Sequence, residues 1–137
     1  MKIYLVIKYH TNLSNKNIIE RICNIAEKNH KIICGHRDLE KWGQVSFSEN
    51  NLMEQVFQVI DESDVVLIEF SESGIGMGIE AGYAKAKNIP VYVMQAKGTD
   101  LLSTAMKGIS SAWYEYETND DIQYIFDSIT KQAQYLE

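Results

Sequence analysis

The chain reads as an α/β protein built around a parallel sheet, and three observations predict it. Short β-branched runs alternate with amphipathic helical runs from end to end, the order expected of strands joined by helical crossovers. The most apolar run, Val65-Val66-Leu67-Ile68-Glu69-Phe70, has the continuous hydrophobicity of a strand buried on both faces. A glycine-rich segment, Gly74-Ile-Gly76-Met-Gly78-Ile-Glu80, follows that strand and opens a helix, a common way of bringing a polar ligand to backbone N–H groups.

Ile3 to Ile7 form the first predicted strand. A polar turn from Tyr9 ends at Ser14, a plausible N-cap, and Ile18, Ile19, Ile22, Ile25 and Ala26 then recur at helical spacing. Lys31 to Cys34 make a second strand. Gly35 to Asn50 has no clear period and mixes charges with aromatics, and a connection of this length in a small domain often covers a site. Leu52, Val56, Val59 and Ile60 mark the next helix. The strand Val65–Phe70, the glycine turn and a helix over Ile79–Lys87 follow. Val91 to Met94, after Pro90, is the fourth strand, Thr99 to Lys107 a loop or short helix, and Trp113 to Tyr116 the fifth strand. Ile122, Ile125, Phe126, Ile129 and Ala133 give a closing helix.

With right-handed crossovers, these elements predict one domain over residues 1–137, a flavodoxin/Rossmann-like three-layer sandwich. Its five-stranded parallel sheet takes the order 2-1-3-4-5. In such a sheet ligands bind beyond the carboxyl ends of the strands, at the switch point between strands 1 and 3. The Tyr9–Asn12 turn, the glycine turn and the Gly35–Asn50 segment should therefore surround one crevice.

Composition narrows the partners. A net charge of −6 with scattered lysines argues against a nucleic-acid polymer and leaves room for a small charged metabolite. The apolar N-terminal stretch is too short for a signal peptide or membrane span, so no membrane is expected and the expected location is cytoplasmic. Cys23 and Cys34 make no metal or disulfide framework and read as small buried hydrophobes. His10, His30 and His36 share no metal-ligand spacing, so neither metal nor cofactor is expected. His30 reads as a solvated residue at a helix end, whereas His10 with Lys8 can bring positive charge to the tip of strand 1.

Two motifs are decoys. Gly74-x-Gly76-x-Gly78 has the wrong final spacing for a dinucleotide fingerprint and follows the third strand rather than the first. His36-Arg37-Asp38-Leu39 imitates a kinase catalytic loop, but Gly43 stands where its asparagine is needed and the chain is too short for a kinase. Arg37 and Asp38 either pair with one another or reach the ligand.

Ser63-Asp64, the apolar strand, Gly74-Ile-Gly76-Met-Gly78-Ile-Glu80-Ala-Gly82-Tyr-Ala84 and then Asn88-Ile-Pro90-Val resemble the nucleoside 2-deoxyribosyltransferase superfamily. The branch most similar is that of the 2'-deoxynucleoside 5'-phosphate N-hydrolases. The resemblance implies that Glu80 is a catalytic nucleophile attacking the anomeric carbon and that the Tyr4 hydroxyl bonds it. It further implies a nucleoside or nucleotide substrate and a homodimer in which Ser103, in Leu102-Ser103-Thr-Ala-Met-Lys107-Gly108, reaches the 5'-phosphate of the neighbouring subunit. Gly74 stands where the hydrolases carry a phosphate-binding serine, with Ser73 adjacent. Lys8, His10, Asp38, Ser73, Gly74, Gly76, Gly78 and Ser103 are the candidate substrate contacts. The family's second acid, on the helix before strand 3, is replaced by Val56, and Glu54 lies on a different helix face. Asp38 or Glu40 would have to take its place, or the protein would be a catalytically silent nucleotide-binding module.

Overall fold

The computed structural model describes residues 1–135. The elements run β1 Lys2–Val6, α1 Lys16–Ala26, β2 Lys31–Cys34, a π-helical turn Gly35–Leu39, α2 Glu49–Asp61 and β3 Val65–Glu69. They continue with α3 Ile75–Ala86, β4 Val91–Ala96, α4 Thr104–Ile109, β5 Ala112–Tyr116 and α5 Asn119–Tyr135. All neighbouring strands are parallel and the sheet order is β2-β1-β3-β4-β5, as the sequence predicts.

The two-residue period of the strands sorts their side chains into two cores. Ile3, Leu5, Leu67, Tyr92 and Met94 face α1 and α5, where Ile19, Ile22, Ile125 and Phe126 are buried. Tyr4, Val6, Val66, Ile68 and Val93 face α2, α3 and α4, against Val56, Ile60, Met77, Ala81 and Ala84. Tyr4 thus points to the layer that contains α3, which is what lets it meet a residue of that helix. Both cysteines are buried and free.

Four local expectations need correction. The N-cap of α1 is Asn15 rather than Ser14, whose N–H instead bonds the Asn12 side chain at 3.0 Å. The glycine-rich segment is not a turn before the helix. Gly74 is the N-cap and α3 starts at Ile75, so Gly76 and Gly78 are helical. Glycine's poor helix propensity suggested a turn, but burial of Met77, Ala81 and Ala84 on one face overrides it. The Gly35–Asn50 connection begins with the π turn instead of running irregularly throughout. His30 is not a solvated capping residue: its ring lies 3.3 Å from the N-terminal amine and 3.4 Å from Thr130 Oγ1.

Candidate active site

The carboxyl ends of β1 and β2, the π turn, α2 and the start of α3 enclose a cavity of about 590 Å³. Its position is the switch point expected for a doubly wound sheet. On its floor the Tyr4 hydroxyl donates to Glu80 Oε1 at 2.9 Å. Tyr4 is 2% exposed, so the phenol needs a partner, and the carboxylate one layer away is that partner. Burial pushes the Glu80 carboxyl up to about 7, and the Tyr4 hydrogen bond opposes the rise. The Tyr4 hydroxyl is held well above its ordinary value, first by burial and then by the Glu80 charge. Another sequestered carboxyl among the described residues, Glu69, accepts from the Ser71 N–H and the Tyr116 hydroxyl and does not line this cavity. Of the two, only Glu80 faces the space a ligand would occupy.

The remaining sequence-predicted contacts divide. Lys8 lines the cavity and lies against Gly74, where an added Cβ would stand 3.3 Å from Lys8 Nζ. Gly76 also lines it. Gly78 and Ser73 are exposed and do not, because the helical geometry of α3 turns Gly78 outward. His10 is drawn off by Glu72, 3.0 Å away. Asp38 is occupied elsewhere: it accepts from the Cys34 N–H at 2.8 Å and pairs with Arg37 at 3.1 Å. The Arg37–Asp38 pairing is therefore real, and it removes Asp38 from the site. Ser103 caps α4 by accepting from the Met106 N–H at 3.1 Å and does not line the cavity.

Two lining residues carry more than their sequence context suggests. Val56, 4% exposed, presents only carbon to the cavity where the resemblance calls for an acid. His36 is 6% exposed and neither ring nitrogen has a hydrogen-bond partner among the described residues. It packs between Tyr9 and Trp42, with ring centroids 4.4 and 5.4 Å away. Burial lowers its basicity and nearby His10 adds to the effect, so its neutral form offers one donor and one acceptor. In the sequence His36 belongs to a decoy motif; only the π turn that follows β2 brings it to the cavity. Among the described residues no three His, Cys, Asp or Glu side chains are grouped to hold a metal ion. No helix among them is long and apolar enough to cross a membrane.

An α/β sandwich with a half-sequestered carboxylate at its switch point defines a small-molecule site of the kind suited to covalent chemistry on a polar ligand. Solved structures of the same fold include the CMP N-glycosidase BcmB of Clostridium botulinum, with a TM-score of 0.66 at 16% identity over 94% of this chain and 99% of that one. The 2-deoxyribosyltransferase of Bacillus psychrosaccharolyticus gives a TM-score of 0.66 at 15% identity, covering 90% of each chain. A conserved protein of Enterococcus faecalis V583 gives 0.67 at 14% identity over 94% of this chain and 98% of that one. The fold is thus the one adopted by N-glycosidase and nucleoside deoxyribosyltransferase enzymes. No protein-family model and no curated protein sequence matches the chain.

Proposed function

We propose that the protein cleaves the N-glycosidic bond of a nucleoside or its 5'-monophosphate, with Glu80 as nucleophile. The observation that carries this reading is the Tyr4–Glu80 hydrogen bond on the floor of the cavity. A Glu80 carboxylate attacks the anomeric carbon as the base departs, giving a covalent glycosyl-enzyme through an oxocarbenium-like transition state. Tyr4 holds the carboxylate in line and favours its charged form. Water resolves the intermediate in hydrolysis, and a second base does so in exchange. The resemblance of the Ser103 segment to the hydrolases favours hydrolysis. Lys8, beside the N-terminus of α3, is the side chain best placed for a 5'-phosphate.

The acting unit is a homodimer in this reading. Ile75, Ile79 and Leu102 are 84%, 49% and 78% exposed, an apolar surface on α3 and just before α4 that a second copy would cover. Ser103 lies in the same region and outside its own chain's cavity, as a residue contributed across an interface would.

Incubation with the four deoxynucleoside monophosphates, their free nucleosides and CMP, following free base, tests the reading. Base release that disappears in Glu80→Ala is the expected result. Val56 favours a second reading, a silent nucleotide-binding module. Binding measurable by calorimetry, unchanged in Glu80→Ala and without base release, would establish that module instead.

A further inference from the structure

We infer that Glu40 supplies the acid–base function that Val56 cannot, protonating the departing base and then accepting a proton from the attacking water. The inference rests on the reading of Glu80 as nucleophile. A glycosyl transfer of this kind uses two carboxyl groups, one bonded to the sugar and one serving the leaving group and water in turn. The wall that α2 offers has no such group, since Leu52, Met53 and Val56 are its lining residues.

The π turn provides the second carboxyl. The Glu40 N–H donates to the Gly35 carbonyl at 3.0 Å, so Glu40 stacks one wide turn above Gly35. Gly35 itself stands against the reactive pair: a Cβ there would be 3.2 Å from the Tyr4 hydroxyl. In an α-helical turn the residue bonded back to Gly35 would be Leu39, and Leu39 packs into the α2–α3 core instead. The extra residue of the π turn therefore puts a carboxyl where regular geometry would put an aliphatic side chain. Glu40 lines the cavity together with Tyr4 and Glu80. Burial raises its carboxyl, and its charge is felt at the Tyr4 hydroxyl. The first effect favours the protonated form, and the second places Glu40 near the Tyr4 hydroxyl.

Arg37 and Asp38 are positioning residues for this group. Arg37 donates to Glu27 at 2.9 Å, to the Ile32 carbonyl at 3.2 Å and to Asp38, while Asp38 accepts from the Cys34 N–H. Neither lines the cavity, and together they pin the turn to β2.

The steps balance. Glu80 forms a bond to the anomeric carbon as the C–N bond breaks, and its electron pair goes to the base, which takes the Glu40 proton. Glu40, now a carboxylate, removes a proton from water as the water oxygen bonds the anomeric carbon and the ester bond to Glu80 breaks. Both carboxyls return to their starting forms, and free base and free sugar are released.

The test compares 2'-deoxyguanosine and its 5'-monophosphate with their N7-methylated forms, whose base leaves neutral without taking a proton. In Glu40→Gln, kcat/KM for the unmethylated substrates should fall about 100-fold or more, while the methylated ones change by less than about 5-fold. Glu80→Gln should abolish release from both, and activity on the methylated substrates confirms that Glu40→Gln is folded. Equal loss on both kinds, or no loss on either, overturns the role of Glu40 while leaving Glu80-dependent cleavage in place. Failure of the wild-type protein to release base from these four, from every other deoxynucleoside and deoxynucleoside monophosphate and from CMP overturns the reading of Glu80 and this inference with it.

Discussion

Tyr4 and Glu80 lie 76 positions apart in the chain, yet their side chains meet at 2.9 Å because β1 turns its even residues toward the layer that holds α3. The contact is a charge-assisted hydrogen bond in a partly sequestered site, of a kind worth about 1.5–3 kcal/mol. Tyr4→Phe removes it without changing the packed ring. Because the bond opposes the rise of the Glu80 carboxyl, its loss should move the acid limb of the rate profile to higher pH. At neutral pH kcat/KM should drop about 10-fold. A pH–rate profile of wild type and variant checks both.

Glu80 itself ties activity to pH. A nucleophilic carboxylate must be deprotonated, so with its carboxyl near 7 the rate should fall about tenfold per unit as pH drops below that point. Stability runs the other way. The folded value lies above the ordinary 4.5, so the group's stabilising contribution is fully present below 4.5 and is lost as pH rises through about 7. Glu80→Gln should thus be more stable than wild type near pH ~8, by up to about 3 kcal/mol, with the difference shrinking toward 4.5. Urea denaturation across that range reads the effect.

How much of this was legible in the sequence depends on the range of the interactions involved. The sheet order followed from β-branched runs, helical spacing and right-handed crossovers, whereas Tyr4 with Glu80 followed only from the family resemblance, since no spacing rule joins residues 76 positions apart. The start of α3 was misplaced because glycine propensity is local, whereas burial of Met77 and Ala81 is tertiary. Asp38 and Glu40 are two residues apart and chemically alike. Only the i→i+5 bond of the π turn, which has no sequence signature, sends one to Arg37 and the other to the cavity. His10 was lost to Glu72, a partner 62 positions away that no spacing rule connects to it.

The apolar exposure of Ile79 and Ile75 bears on assembly. Wild type should sediment as a dimer, and Ile79→Asp, which would bury a carboxylate in the interface, as a monomer. If Ser103 acts across that interface, Ser103→Ala should raise KM for a 5'-monophosphate and leave the free nucleoside unaffected. Sedimentation velocity and the two KM values settle the point.

His36 is buried with both ring nitrogens unpartnered among the described residues, a cost that a bound ligand can relieve. His36→Leu should therefore raise stability by about 1 kcal/mol while raising KM about 10-fold. Thermal denaturation without ligand and steady-state kinetics give opposite signs for the two effects. A fall in both stability and affinity would mean that the imidazole is a packing residue.

Val56 bears on whether the position on α2 can still hold an acid. It is 4% exposed and belongs to the core that Ile60 and Ala81 share, so an aspartate there loses apolar burial and gains a half-desolvated charge. Val56→Asp alone should cost about 1–3 kcal/mol of stability and should not speed base release, since Glu40 already provides the proton. In a Glu40→Gln background the same substitution should recover part of the lost rate on unmethylated substrates, because its carboxyl opens into the same cavity. Comparing the double variant with the two single variants measures that recovery as a coupling between the positions. Strict additivity of the two losses would mean that they do not serve the same proton.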